Sequence, residues 1–356
     1  MRIPWSIPNI QKKDKDAVKK VLQSDWFSMG EKVKEFEKKV ASYLDIDYAV
    51  AVNSGTSALD VALKCLNIKK DDEIIIPALT YIATGNAVLY NNGTPVFVDI
   101  DETLNINPDL IEEKITDKTK AIMNIDFGGN PSNYSKLVKI AKKHNLFLIV
   151  DGAQSFGSVY HNVKCCTHGI INTTSFHAAK ILTTIEGGML FTREKKFYDK
   201  AKAIRNQGET SKYFHPYLGH NYRMTDLTAA LGVSQLERIK ETLETRFSKA
   251  EYYQEHLENV EYPKQLLDTV NSYFFFLILV ENRDRMNKYL NKNGIDTRIT
   301  YPMPLNEQPV FRKFSKDKVF PVAKEVSQKI ISLPIYHQLT QSEQDFIIKK
   351  INTFRG

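Results

Sequence analysis

The hydrophobic and polar positions at the start of this chain follow a helical period. Val33, Phe36, Val40 and Leu44 recur every three or four residues among charged residues. This spacing puts the apolar side chains on one face, so it predicts an amphipathic helix that ends near Asp45. The pattern changes immediately after this segment.

From residue 48 onward, short β-branched runs alternate with helical segments. Seven runs read as strands, in the order YAVAV, EIIIP, PVFVDI, AIMNID, LFLIVD, IINTTSF and GMLFT. Helical patterns over residues 57–66 and 134–144 leave room for right-handed crossovers between parallel strands. The alternation predicts an α/β fold with a mainly parallel seven-stranded sheet between helices.

The C-terminal part of the chain has a different pattern. Long helices are predicted over residues 227–257, and the run YFFFLILV at 273–280 reads as a buried strand followed by shorter alternating elements. A chain of 356 residues exceeds what one hydrophobic core usually organises. We therefore expect a large domain over 1–240, including the N-terminal helical segment, and a smaller α+β domain over 241–356.

Composition and charge narrow the class of protein. Hydrophobic residues at 42% and charged residues at 26% are typical of a soluble globular protein. The net charge of +7 is spread over mixed segments such as KKDKDAVKK, which favours solvated helix faces over a nucleic-acid partner. The longest apolar run is far shorter than the ~20 residues of a membrane helix. We expect no membrane partner.

Three cysteines without paired or metal-ligand spacing, and a start without a signal-peptide pattern, indicate a reducing compartment. We therefore expect a cytoplasmic protein without a metal site. Adjacent Cys165 and Cys166 could suggest a cysteine desulfurase, whose chemistry needs a mobile thiolate. Their position before a predicted strand favours burial instead.

The first candidate for chemistry is the segment NSGTSAL at 53–59, between a strand and a helix. A helix N-terminus offers unpaired N–H groups and the positive end of the dipole, and Gly55 permits close approach of a ligand. Thr56 and Ser57 are therefore candidate phosphate ligands. The alternative is an ordinary capped turn.

Two further candidates follow along the chain. Asp151 comes directly after the apolar run LFLIV, and the carboxyl ends of parallel strands face the ligand crevice in open α/β sheets. Lys180 lies between two strand-like runs, where burial would lower the pKa of its amine and make it a nucleophile. Taken singly, Asp151 could cap a turn, and Lys180 could be one of the many lysines without a catalytic role.

Together these positions match the needs of pyridoxal phosphate. That cofactor requires a phosphate cradle, a lysine for a Schiff base, and a carboxylate that keeps the ring nitrogen protonated. The chain supplies the cradle first, then the carboxylate of Asp151 and then Lys180, so the sequence predicts an enzyme dependent on pyridoxal phosphate.

The segments that carry these residues resemble the DegT and StrS family of sugar aminotransferases. The resemblance runs from about Ile3 to about Ile347 and includes AVAVNSGTSALDVAL, IIIPALTYIATGNAV, DGAQSFG, SFHAAKILTTIEGGM and GHNYRMTDLTAALGVSQLERI. It implies a fold type I pyridoxal-phosphate transferase. It also implies that Lys180 forms the Schiff base and that Asp151 pairs with the pyridine nitrogen.

The same resemblance assigns the other cofactor contacts. Gln154 would contact the hydroxyl of the ring, and Tyr81 would stack on the ring face, with a buried core tyrosine as the alternative. The family's phosphate ligands fall on Thr56, Ser57 and Ser175. Asn221 matches an asparagine that reaches the phosphate from the neighbouring subunit, which implies a homodimer with shared active sites.

The implied reaction is amino transfer from L-glutamate to a nucleotide-linked keto-6-deoxysugar. The segment ILTTIEGG resembles enzymes that act on the 4-keto group, and an enzyme acting on the 3-keto group is the alternative. A sugar dehydratase of the same scaffold resembles this chain but has histidine in place of Lys180. A non-catalytic regulatory homologue that binds DNA is disfavoured by the intact Lys180, Asp151 and Gln154.

Overall fold

The computed structural model describes residues 2–315 and 319–355, and it is a mixed α/β structure. Its helices are α1 (Lys12–Leu22), α2 (Glu31–Leu44), α3 (Gly55–Cys65), α4 (Ile82–Tyr90), α5 (Tyr134–Lys143), α6 (Lys195–Arg205), α7 (Asp226–Leu236), α8 (Ile239–His256), α9 (Arg283–Lys292), α10 (Pro321–Lys329) and α11 (Gln341–Asn352). Its strands are β1 (Tyr48–Val52), β2 (Glu73–Pro77), β3 (Thr94–Val98), β4 (Thr119–Ile125), β5 (Phe147–Asp151), β6 (Val159–Tyr160), β7 (Val163–Lys164), β8 (Ile171–Ser175), β9 (Gly188–Thr192), β10 (Thr269–Val270), β11 (Phe276–Leu279) and β12 (Ile330–Leu333).

A seven-stranded sheet forms the centre, in the order β1-β9-β8-β5-β4-β2-β3. Strands β3, β2, β4, β5 and β8 pair in parallel, whereas β9 is antiparallel to both of its neighbours. Each of the seven runs that the sequence analysis read as strands contributes one strand to this sheet. The predicted mainly parallel α/β fold is therefore confirmed.

Helices cover both faces of this sheet, as β2 illustrates. Ile74, Ile75 and Ile76 are all fully buried. Ile74 and Ile76 belong to a core cluster that includes side chains of α3, whereas Ile75 belongs to a cluster that includes side chains of α5. Because successive side chains of a strand point to opposite faces, α3 and α5 pack on opposite sides of the sheet.

A separate core cluster lies in the C-terminal part of the chain. It joins α8, the antiparallel pair β11 and β12, and α11 through side chains such as Tyr253, Phe276 and Ile347. Ile3 belongs to the same cluster, because the N-terminal segment forms a parallel bridge to Ile295. The N-terminus thus packs with the C-terminal elements, and the domain boundary near residue 240 stays a prediction.

The strand predicted over 273–280 is shorter in the structure, where β11 spans Phe276–Leu279. Tyr273 has φ of 49°, which is the left-handed region, and the N–H of Phe275 donates to the carbonyl of Gly128 at 3.1 Å. The backbone therefore turns before it enters the ladder. Within the described ranges, no helix combines the length and apolarity needed to cross a membrane.

Candidate active site

A cavity of about 630 Å³ opens at the carboxyl ends of the parallel strands. The last residues of β4, β5 and β8 line it, namely Ile125, Asp151 and Ser175. This is the edge where an open α/β sheet presents its ligands. Six of the eight residues predicted for the site line this cavity: Thr56, Tyr81, Asp151, Gln154, Ser175 and Lys180.

Asp151 is 3% exposed and is held by two hydrogen bonds. The hydroxyl of Thr84 donates to Oδ2 at 3.0 Å, and the N–H of Ala153 donates to Oδ1 at 3.2 Å. Burial raises the pKa of this carboxyl, and the two donors and the charge of Lys180 partly offset that effect. The carboxylate is therefore fixed in one orientation at the floor of the cavity.

Lys180 shares the cavity with Asp151. Burial lowers the pKa of its amine to about 8, and the negative charge of Asp151 opposes that shift. The Nζ atom lies 4.1 Å from the centre of the Phe274 ring. An amine in this environment loses its proton far more readily than an exposed lysine, as a nucleophilic lysine requires.

The N-terminus of α3 forms one wall of the cavity, through Ser54, Gly55 and Thr56. A Cβ atom at Gly55 would lie 2.7 Å from the Cβ of Ser175, so only glycine lets the end of β8 approach this helix so closely. The two hydroxyls of Thr56 and Ser175 thus join the free N–H groups of a helix start. This donor set suits a phosphate dianion.

Ser57 lies next to this wall but does not line the cavity. Its hydroxyl donates to Oδ1 of Asn53 at 2.7 Å, and its N–H donates to the Ser54 hydroxyl at 3.0 Å. The capped turn that was the alternative reading is thus present, and Ser57 is part of it. The cap sets the direction of the first turn of α3.

Gln154, Tyr81 and Tyr301 also line the cavity. The amide of Gln154 accepts from the N–H of Gly128 at 2.7 Å and donates to the hydroxyl of Tyr301 at 3.2 Å. The ring of Tyr301 lies 5.9 Å from the ring of Tyr81. Tyr81 is 54% exposed, so it is not the buried core tyrosine of the alternative reading, and its ring is accessible from the cavity.

Asn221 lies outside this cavity and is exposed. Its segment is fixed against α3, because the carbonyl of Tyr222 accepts from the N–H of Asn53 at 2.9 Å and the Tyr222 hydroxyl donates to Asp60 at 3.1 Å. An exposed amide on a well-anchored segment is suited to contact a second subunit. The predicted role across an interface stays a prediction.

Several residues that line or support the cavity were not found from the sequence. Thr84 lies in the first turn of α4 and donates a hydrogen bond to Asp151. Its hydroxyl lies 3.0 Å from that of Thr80. The four-residue spacing of these two threonines is the one feature of the sequence that could have indicated this support. The others come from remote segments and follow no local pattern: Trp5, Phe274, Phe275, Arg298 and Tyr301.

The two adjacent cysteines take no part in the cavity. Both are buried, and burial raises the pKa of Cys166 to about 12 and raises that of Cys165 as well. Such thiols stay protonated and unreactive at neutral pH. In the part of the chain that the structure describes, no three or more His, Cys, Asp or Glu side chains are grouped to hold a metal ion.

Comparison with known proteins finds relatives that match nearly the whole chain. A model of the DegT/DnrJ/EryC1/StrS aminotransferase family matches residues 8–352. GDP-perosamine synthase from Escherichia coli O157:H7 is 37% identical over 360 residues, which cover 99% of this chain and 98% of that protein. The dTDP-3-amino-3,6-dideoxy-alpha-D-galactopyranose transaminase of Aneurinibacillus thermoaerophilus is 32% identical, with 97% and 96% covered.

The fold agrees with solved structures over nearly its whole length. The PLP form of Spr1654 from Streptococcus pneumoniae superposes with a TM-score of 0.93 at 27% identity, covering 99% of this chain and 97% of that one. Aminotransferases of this family depend on pyridoxal phosphate and have fold type I. Since the family match spans almost every residue, the chain belongs to the DegT/DnrJ/EryC1/StrS aminotransferase family and is a sugar aminotransferase.

Proposed function

We propose that this enzyme transfers the amino group of L-glutamate to the 4-keto group of a nucleotide-linked keto-6-deoxysugar, with pyridoxal phosphate bound covalently to Lys180. One observation carries the proposal. Lys180 and Asp151 line the same cavity as the N-terminus of α3, so an amine, a carboxylate and a phosphate site meet in one place. Pyridoxal phosphate is the cofactor that needs these three groups together.

The residues present fit this cofactor. Thr56, Ser175 and the first N–H groups of α3 would hold the phosphate, with Ser57 in the same turn. Asp151 would face the ring nitrogen, and Gln154 would face the ring hydroxyl. Tyr81 offers an accessible ring to stack on the cofactor. When bound, the cofactor supplies an electron sink for the bonds at the amino-bearing carbon.

Once the amino donor has released the amine of Lys180 from the cofactor, this lysine would act as the proton carrier of the reaction. Because the pKa of its amine is lowered to about 8, a useful fraction is neutral near physiological pH. A neutral amine can accept a proton from the α-carbon of the donor and deliver it to the exocyclic carbon of the cofactor. Phe274 beside Nζ would limit the access of water to this amine, and the buried Phe275 lines the same cavity.

We also propose that the enzyme works in the cytoplasm as a homodimer with shared sites. Asn221 of each subunit would reach the phosphate held by Thr56 and Ser175 of the other. The exposure of Asn221, together with the anchoring of its segment on α3, supports this arrangement. The aminosugar product would serve polysaccharide biosynthesis.

Amination at the 3-position is the second candidate. It is favoured by the similarity to the transaminase from Aneurinibacillus thermoaerophilus, whose name specifies a 3-amino sugar. The segment ILTTIEGG supports the 4-position by resemblance. The dehydratase alternative is disfavoured because Lys180 stands where that enzyme has histidine.

A product screen tests this proposal. The purified enzyme, supplied with pyridoxal phosphate and glutamate, is incubated with a panel of GDP-, UDP- and dTDP-linked 4-keto and 3-keto sugars. Mass spectrometry should reveal one product in which an amine replaces the ketone, and NMR should place the amine on C4. An amine on C3 would contradict the assigned position. Loss of oxygen without gain of nitrogen would indicate the dehydratase.

A further inference from the structure

A turn of the backbone at Tyr273 brings an aromatic ring onto the amine of Lys180. The Nζ atom of Lys180 lies 4.1 Å from the centre of the buried Phe274 ring. Tyr273 has φ of 49°, in the left-handed region, which is disfavoured for a residue that carries a Cβ atom. Such a turn persists only when the surrounding structure holds it in place.

The carbonyl of Tyr273 is held by Arg246 of α8. The Nη1 atom of this arginine donates to the carbonyl oxygen at 2.7 Å. Because a peptide group is planar, the direction of the Tyr273 carbonyl fixes the direction of the N–H of Phe274. Arg246 thus orients the backbone at the residue whose ring covers the amine.

Arg246 differs from the other buried arginines of the chain. Each of the other three pairs with an acid, in the pairs Arg205–Glu37, Arg238–Asp14 and Arg283–Asp284. Among the residues that the structure describes, no acid forms an ion pair with Arg246, and burial lowers the pKa of its guanidinium to about 10. A buried charge without a counter-charge is costly, and a charge-assisted hydrogen bond offsets part of that cost. The contact of Arg246 with the turn is therefore its principal polar interaction.

The segments on either side of the turn are fixed by other contacts. On one side, the N–H of Ser272 donates to the hydroxyl of Ser158 at 3.2 Å. On the other side, the N–H of Phe275 donates to the carbonyl of Gly128 at 3.1 Å. Loss of the Arg246 bond should therefore release the turn and leave its two flanks in place.

The Phe274 ring has two opposite effects on the amine of Lys180. The face of the ring attracts an ammonium and favours the protonated form, whereas the exclusion of water favours the neutral form. The second effect is the larger one, since burial lowers the pKa of Lys180 to about 8 even though the charge of Asp151 opposes this shift. Withdrawal of the ring should therefore raise the pKa of the amine.

We propose that Arg246 is a positioning residue of the active site, which holds the Phe274 ring over the amine of Lys180 through the carbonyl of Tyr273. Arg246 does not itself line the cavity, so it acts only through the turn. The inference rests on the proposed function in one respect, because it takes Lys180 as the reacting amine.

The test titrates the amine of Lys180 in the full-length apo-enzyme. A limiting amount of acetic anhydride acylates neutral amines, and peptide mass spectrometry measures the labelling of Lys180 as a function of pH. Arg246→Met removes the donor, Arg246→Lys keeps a charged donor, and Phe274→Ala removes the ring. Arg283→Met is the matched control, since Arg283 is a buried arginine of α9 that does not line the cavity.

The variants leave the other titratable and charged groups of the cavity unchanged. These groups are Tyr81, Asp151, His177, Glu186, Arg298 and Tyr301. A shift in the labelling of Lys180 therefore reports the loss of the ring. Thermal unfolding of each variant, recorded in parallel, shows that the protein is folded.

The midpoint of labelling should lie near pH 8 in the wild type. It should rise by about one unit or more in Arg246→Met and in Phe274→Ala, because water then reaches the amine. Arg246→Lys should fall between the wild type and Arg246→Met. Arg283→Met should lower the melting temperature but leave the midpoint within about 0.3 unit of the wild type. Adding Arg246→Met to Phe274→Ala should cause no further shift, since the ring is already absent.

Three results would overturn the positioning role: a wild-type midpoint near the ordinary lysine value of 10.5, an unshifted midpoint in folded Arg246→Met, or an equal shift in Arg283→Met. Should Arg246→Met not fold, an unshifted midpoint in Arg246→Lys decides against the role in the same way. If the labelling follows the expected pattern while no keto sugar is aminated, the transaminase proposal fails and the positioning role stands.

Discussion

Replacing Thr84 with valine removes one hydrogen-bond donor from Asp151 and keeps the shape of the side chain almost unchanged. Thr84 is 0% exposed, and its hydroxyl donates to Oδ2 at 3.0 Å. With Asp151 ionised, the carboxylate can only accept, so Thr84 must donate to it. The hydroxyl of Thr80, 3.0 Å away, then donates to Thr84.

The magnitude follows from the type of bond. A hydrogen bond to a charged group contributes about 1.5–3 kcal/mol, which corresponds to about 10- to 150-fold in an equilibrium or a rate. If Asp151 acts on the ring nitrogen, Thr84→Val should slow the glutamate half-reaction by about tenfold or more. Losing a donor also raises the pKa of Asp151 further, so the acidic limb of the pH–rate profile should move to higher pH.

Single-turnover absorbance, with saturating glutamate and pyridoxal phosphate, measures this rate. Thr84→Ser keeps the hydroxyl and should stay within about threefold of the wild type. Thr80→Val leaves the hydrogen bond between Thr84 and Asp151 in place. It should therefore slow the half-reaction less than Thr84→Val does. The reasoning is refuted if Thr84→Val reacts at the wild-type rate with an unshifted profile.

Three further predictions concern the cradle, the lysine and the interface. Gly55→Ala places a Cβ 2.7 Å from that of Ser175, so it should lower the free energy of unfolding by about 1–3 kcal/mol and weaken cofactor binding. Denaturant unfolding and cofactor titration measure the two effects. Unchanged values would contradict the close approach of β8 to α3. In the apo-enzyme, Lys180→Met should raise the free energy of unfolding below pH 8, and this gain should shrink as the pH rises toward 10.5. The reason is that the wild-type amine has a pKa of about 8 in the folded state and 10.5 in the unfolded state. A difference in melting temperature that does not depend on pH would contradict the buried amine. Mixing Lys180→Ala with Asn221→Ala chains should restore part of the activity through heterodimers with one complete site, and confirmed heterodimers without activity would exclude Asn221 from the partner's site.

The central sheet could be predicted because strands buried on both faces are continuous apolar runs. Ile74, Ile75 and Ile76 show this directly, since each faces one of the two covered sides of the sheet. Asp151 could be placed at the crevice for a related reason, whereas Ser175 was assigned only through the family resemblance. A residue at the carboxyl end of a parallel strand reaches the ligand edge wherever the strand lies in the sheet.

The C-terminal wall of the cavity could not be predicted in this way. Trp5 and Arg298 meet only because the N-terminal segment pairs with the segment around Ile295, and no local period encodes contact across nearly three hundred residues. Phe274 was read as part of a strand, but the left-handed backbone of Tyr273 directs the chain past Lys180 instead. Contacts between remote segments depend on the path of the chain, which periodicity does not specify.

The covalent attachment of the cofactor tests the central claim most directly. Wild-type enzyme and Lys180→Ala are incubated with pyridoxal phosphate, reduced with borohydride, digested and examined by peptide mass spectrometry. The account predicts a visible absorbance band before reduction and a cofactor adduct on Lys180 in the wild type, with neither in Lys180→Ala. An adduct on a different lysine, or a wild-type protein that binds the cofactor without any adduct, would contradict it.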